Sequence, residues 1–169
     1  MKNIFKKMRE FERIIETYQN SLFSSAFFRL GSFETAQVIV QEVLLNFYET
    51  MSGVSMIDNI YVYLIKSIND SCADYKKQSL KIPIADLYDP ANKLPDAEKT
   101  SCLSEYNRIE EILRSLPEVQ AEVLRLKFVD NLNFDEISQV LAESLSTVKS
   151  RYRYANIKLI RKNFQSSRL

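Results

Sequence analysis

Histidine is absent from the 169 residues, and the chain has only two cysteines, two glycines and four prolines. Each shortage closes a possibility. Without histidine there is neither a Cys/His zinc site nor a histidine-based catalytic triad. Cys72 and Cys102 form no spaced framework, as suits a reducing compartment. Glycine and proline supply the turns that join paired strands, so a chain this poor in both is expected to be helical. No uncharged apolar run reaches the roughly 18 residues of a membrane span, and no membrane insertion is expected. Lys2 to Arg9 is basic, but Glu10, Glu12 and Arg13 stand where the apolar part of a secretory leader would begin. A cytoplasmic protein is expected. Neither a phosphate-cradling glycine loop nor a nucleophile–base pair occurs, so no enzymatic activity, metal or cofactor is expected.

What is present is charge sorted by position. The formal net charge is only +1, yet residues 86–143 hold six basic and thirteen acidic side chains. Residues 144–169 hold seven basic side chains and no acid: Lys149, Arg151, Arg153, Lys158, Arg161, Lys162 and Arg168. Solvated helix faces normally mix both signs. A segment stripped of one sign points to an anionic partner.

Helical periodicity runs through residues 8–29, 34–50 and 59–77, with Ser52 and Gly53 breaking it between the second and third. It fails from Gln78 to about Ser101, where Pro83, Pro90 and Pro95 fall in a polar stretch with several aspartates. Proline removes a helical hydrogen bond and restrains the residue before it, so this stretch reads as a linker. Helices resume over about 104–115, 117–129, 134–141 and 146–162. The expectation is an all-α chain of two small helical domains, 1–80 and 104–169, joined by a linker at 81–103.

The C-terminal domain has the layout of a helix-turn-helix. Asn133-Phe134 followed by Asp135-Glu136 reads as a helix start, with acids placed to favour the helix dipole. Ala142 to Leu145 then separate that short helix from the next, which Ser146 or Ser144 can cap. At about 100° per residue, Val148, Tyr152, Ala155 and Leu159 form one stripe, the core side. Ser146, Ser150, Arg153 and Tyr154 lie opposite, flanked by Thr147, Lys149 and Lys158. Small polar, basic and aromatic side chains on one exposed face suit a DNA major groove.

At these residues the sequence resembles a known family. "LRSLPEVQAEVLRLKFVDNLNFDEISQVLAESLSTVKSRYRYANIKL" is similar to region 4 of sigma factors of the extracytoplasmic-function type. The likeness rests on Leu116-Pro117, Leu124–Phe128, Phe134–Ile137 and Ser146-Thr147-Val148-Lys149-Ser150-Arg151. One departure is Ala142-Glu143, where that family usually has glycine and then an apolar residue. The helix-turn-helix of response regulators shares the Glu-Ile and Thr-Val-Lys spacing, so the N-terminal half has to decide. A response regulator would open with alternating strands and helices, and this chain does not.

"FETAQVIVQEVLLNFYE" (Phe33–Glu49) instead resembles sigma region 2. Ala36, Ile39, Val40, Val43 and Phe47 make a buried stripe, while Val38, Leu44, Leu45 and Tyr48 lie off it. A helix apolar on nearly all sides is either central to a bundle or has a protein partner. The resemblance implies the second, with Gln41, Glu42, Leu45 and Tyr48 docking on core RNA polymerase. The family typically has an acidic residue where Val38 stands. Ile57–Ile60 and "YVYLIKSINDSCADYKK" (Tyr61–Lys77) look like the part that holds the melted non-template strand. That implies DNA contacts from Asn59, Lys66, Asn69, Lys76 and Lys77, with Asp70 standing where the family has a neutral side chain. On periodicity alone, Tyr61, Ile65, Ile68, Cys72 and Tyr75 are the core stripe of this helix.

The resemblance implies an alternative sigma factor. Its partners would be core RNA polymerase, double-stranded promoter DNA, the melted strand and an anti-sigma factor. The competing reading is a sigma-like DNA-binding regulator that no longer initiates transcription.

Overall fold

The computed structural model describes residues 1–51, 57–79 and 96–166, without the side chains of 163–166. Pro83, Pro90 and Pro95 lie outside the described residues, as does the break at Ser52 and Gly53. Every regular element among those described is an α-helix, and the chain divides into two units, Met1–Lys93 and Leu94–Leu169.

The N-terminal unit packs three helices, α1 (Lys2–Leu30), α2 (Phe33–Thr50) and α3 (Ile60–Ser79). Helix α1 begins at Lys2 rather than at about residue 8, because Lys, Met, Arg and Glu all favour helix even where nothing buries them. Its end is set by Gly31, whose φ of 68° lets its N–H reach the Phe27 carbonyl at 2.8 Å. Ser32 then caps α2 by accepting from the Thr35 N–H at 3.2 Å. Phe27 and Phe33 meet at 4.5 Å across this corner, fixing how α2 folds back on α1.

The expected stripe of α2 is the buried one: Ala36, Ile39, Val40, Val43 and Phe47 all face the core. Helix α3 differs. Ile65, Ile68 and Cys72 are buried as expected, but Val62 and Leu64 join them, while Tyr61 and Tyr75 are only half-buried. The buried arc of α3 is wider than a single stripe, and Tyr61 and Tyr75 stand near the two ends of the helix, where the packing against α1 and α2 runs out. Tyr61 stacks on Tyr18 at 5.2 Å at the edge of that core.

The C-terminal unit holds α4 (Asp96–Leu113), α5 (Glu118–Phe128), α6 (Phe134–Leu141) and α7 (Leu145–Ser166). Helix α4 starts at Asp96, not near 104; Asp96 and Glu98 in its first turn favour the dipole and extend it beyond its packed part. Leu113, Leu116, Ala121, Leu124 and Ala155 form one buried cluster, against which Ile109, Tyr152 and Leu159 pack. Arg125 lies inside this unit with its side chain only 4% exposed. It bonds Glu110 at 3.1 Å, Glu118 at 2.8 Å and Glu122 at 3.2 Å, tying α4 to α5. Burial by itself lowers the pKa of this guanidinium, but Glu122, Glu118 and Glu110 together outweigh it and raise it. Tyr106 has its phenol pKa raised chiefly by burial and then by Glu110.

Candidate nucleic-acid interface and partner surface

Three local devices build the C-terminal surface. The first is a capping box at the start of α6. Asn133 Oδ1 accepts from the Glu136 N–H at 2.9 Å, and Glu136 Oε2 accepts from the Asn133 N–H at 2.8 Å. The second is the turn. Ala142 adopts a left-handed conformation, φ 52° and ψ 40°, the position for which glycine is the default residue. The third is the cap of α7. Of the two candidate serines, Ser144 does it, accepting from the Thr147 N–H at 3.2 Å. Its hydroxyl also shares hydrogen bonds with Thr147 Oγ1 at 2.8 Å and Ser146 Oγ at 3.1 Å.

With α7 so anchored, Val148 and Ala155 are fully buried. Tyr152 closes the same side, meeting Phe134 edge-on at 5.1 Å. This leaves Ser146, Lys149, Arg153, Tyr154 and Lys158 exposed, with Ser150 and Thr147 half-buried beside them. The Arg153 guanidinium lies 5.5 Å from the Tyr154 ring centre, and Tyr154 is 56% exposed. The expected face is therefore assembled, although Ser146 and Thr147 are partly engaged by the cap. Arg151 is separate: its Nη2 bonds Glu143 Oε1 at 2.8 Å.

The exposed side of α2 is of another kind. Val38 is 53% and Leu45 59% exposed, with Gln41 and Glu42 exposed between them. Tyr48 is turned to α1, its ring 4.9 Å from Phe11 and under the Lys7 ammonium at 4.3 Å. On α3, Lys66, Asp70 and Lys77 are exposed at helical spacings that share one face, and Lys76 is exposed on its flank. Lys77 lies 4.0 Å from Asp74. Asn59 caps α3, accepting from the Val62 N–H at 3.1 Å. Asn69 is turned inward, its Oδ1 accepting from Arg29 Nε at 3.3 Å. Arg29 is itself buried and also donates to Ser25 O and Oγ at 3.0 and 2.8 Å. Neither the inward turn of Asn69 nor the Glu143–Arg151 pair is a matter of periodicity. The signal in sequence was an unmatched arginine on a core stripe in the first case, and the last acid before an acid-free helix in the second.

Among the described residues no group of His, Cys, Asp or Glu could hold a metal ion, and no helix is long and apolar enough to cross a membrane. Capped α6, the tight turn and α7 with its acid-free exposed face define a helix-turn-helix. The type is specific: residues 106–155 match the family model described as Sigma-70, region 4. The fold also resembles solved structures. One is CnrH in complex with the cytosolic domain of CnrY, with a TM-score of 0.69 and 17% identity over 94% of this chain and 90% of that one. Another is the sigma factor RpoE in complex with the anti-sigma factor NepR from Bartonella quintana, with a TM-score of 0.64 and 16% identity over 89% of this chain and 94% of that one. No curated protein matches the sequence.

Proposed function

We propose that the chain is an alternative sigma factor of the extracytoplasmic-function type, which binds core RNA polymerase and directs it to promoters. The observation that carries this reading is the pairing of two modules in one chain. A sigma-70 region 4 helix-turn-helix, with an acid-free outer face, follows a three-helix unit whose second helix exposes Val38 and Leu45. Apolar side chains around Gln41 and Glu42 suit a protein partner, and core polymerase is the partner assigned to them. Helix α7 enters the major groove of the upstream promoter element. Lys149 and Lys158 meet phosphates there, and Ser146, Ser150 and Arg153 meet base edges. Lys66, Lys76 and Lys77 hold the melted downstream strand, with Asn59 at the start of α3. Asn69 serves them indirectly, through Arg29 and the packing of α3 on α1. The chain carries no chemistry of its own and works in the cytoplasm. The two modules are divided ahead of α4, near Lys93 and Leu94, and an anti-sigma factor is the expected inhibitory partner.

Val38 and Asp70 favour the second reading, a DNA-binding regulator that no longer initiates. Val38 is an exposed apolar residue where a polar contact is expected, and Asp70 sets a carboxylate between Lys66 and Lys77. Run-off transcription separates the two. Core polymerase plus this chain should yield a discrete transcript from the DNA upstream of the chain's own coding sequence. Binding to that DNA with no transcript would establish the regulator instead.

A further inference from the structure

We propose that Glu143 is a positioning residue of the DNA-reading surface: its carboxylate holds Arg151 against the turn, so that α7 meets phosphates with one cation fewer than its sequence carries. The inference rests on the reading of α7 as a DNA-binding helix. Arg151 stands one turn after Thr147 and one turn before Tyr154, on the flank of the outer face, so its guanidinium is within reach of a phosphate lying along that flank. It is engaged elsewhere. The Nη2–Oε1 distance to Glu143 is 2.8 Å, the range of a charge-assisted hydrogen bond, and the Arg151 side chain is only 23% exposed.

The carboxylate is placed by the backbone. Left-handed Ala142 brings the Glu143 N–H to the Ser138 carbonyl at 3.2 Å, and Ser138 Oγ donates back to the Glu143 carbonyl at 2.5 Å. Both bonds use main-chain atoms of Glu143, so replacing its side chain by an uncharged isostere leaves the turn intact. Glu143 is the acid that Arg151 meets: no acid follows it in the sequence, and Glu136, the nearest before it, is held in the capping box at the far end of α6. The pair withholds a sequence-blind phosphate contact. Base-edge contacts then carry a larger share of the binding, which is how a short recognition helix rich in cations stays selective.

The test is the salt dependence of DNA binding by the full chain, on a short random-sequence duplex and on the DNA upstream of its own coding sequence. Glu143→Gln should steepen the plot of log affinity against log salt by about 0.9, the slope of one added phosphate contact. It should strengthen random-duplex binding at low salt and narrow the ratio between the two DNAs. Arg151→Ala alone should leave the slope unchanged, and the double variant should return to the unmodified slope. A slope flattened by Arg151→Ala alone would mean that Arg151 already sits on a phosphate, and the proposal would fail. It would fail equally if Glu143→Gln melted normally and bound with an unaltered slope. An unmodified chain that bound neither DNA would instead overturn the assignment of α7, and the role of Glu143 with it.

Discussion

Helices α2 and α7 bury the same kind of surface and differ in the charge they expose. Each lays a stripe of small and branched apolar side chains on its own unit: Ala36, Val40 and Val43 on α2, Val148 and Ala155 on α7. Outward, α2 shows Val38 and Leu45 beside Gln41 and Glu42, whereas α7 shows Lys149, Arg153 and Lys158 with no acid among them, its exposed Ile157 and Ile160 lying nearer its C-terminal end. Apolar surface left in water is costly unless a partner covers it, and a one-signed face repels itself unless counter-charge arrives. On the proposed function this difference corresponds to two partners, a protein at α2 and a polyanion at α7.

Substitutions can break or sharpen this contrast. The largest effect belongs to the scaffold behind α7. Arg125→Ala would remove the guanidinium shared by the half-buried carboxylates of Glu110 and Glu122, costing about 3–5 kcal/mol by the usual behaviour of broken buried pairs. Exposed Glu118 adds little. Thermal melting should show the C-terminal unit lost and the N-terminal unit retained. Loss of both together would mean that the units are not independent.

Next in size is the apolar face of α2. Leu45→Ala should weaken binding to core polymerase by about 2 kcal/mol, roughly thirtyfold, as truncation of a central anchor does. Because Leu45 is exposed, its melting temperature should not move. Tyr48→Ala is a poorer probe, since it also removes the packing on Phe11. A pull-down on core polymerase with the folded Leu45 variant checks this; unchanged retention would remove α2 as the docking face.

On α7 the effects divide by type of contact. Lys158→Ala should weaken all DNA sequences alike and reduce the salt slope by about one unit. The smallest change is in the turn. Ala142 pays the left-handed strain of an L-residue, so Ala142→Gly should stabilise the C-terminal unit by about 1 kcal/mol. Its Tm should rise by about 4–8 °C in a domain of this size. A fall would show that the Ala142 side chain makes a contact worth more than the strain.

Much of this fold is legible in the sequence. The 3.6-residue period marked out Ala36, Ile39, Val40, Val43 and Phe47 as the core stripe of α2 and missed only Phe33 at its first position. The start of α6 was legible too, since Asn133, Asp135 and Glu136 are a local signal, and the capping box is local chemistry. Less legible was α3, where Val62 and Leu64 join the core while Tyr61 and Tyr75, near the helix ends, are only half-buried. Fainter still were Asn69 on Arg29 and Arg151 on Glu143, pairings made by three-dimensional proximity that no periodicity encodes and at which composition only hints. The helical period made legible the exposure of Ser146, Lys149, Arg153, Tyr154 and Lys158 on α7. Its cap was not, since Ser144 and Ser146 differ only in which hydroxyl the turn aims at the Thr147 N–H.

The division of labour between α2 and α7 is tested most directly by transcription from a promoter library with core polymerase and two variants of the full chain. Leu45→Ala should lower every promoter by a common factor, because it weakens the step they all share. Arg153→Ala should reorder the promoters, because a lost base-edge arginine costs about 1–3 kcal/mol at one base pair and little elsewhere. If Arg153→Ala scaled all promoters equally, or Leu45→Ala changed their order, the assignment of protein and DNA partners to these two helices would be contradicted.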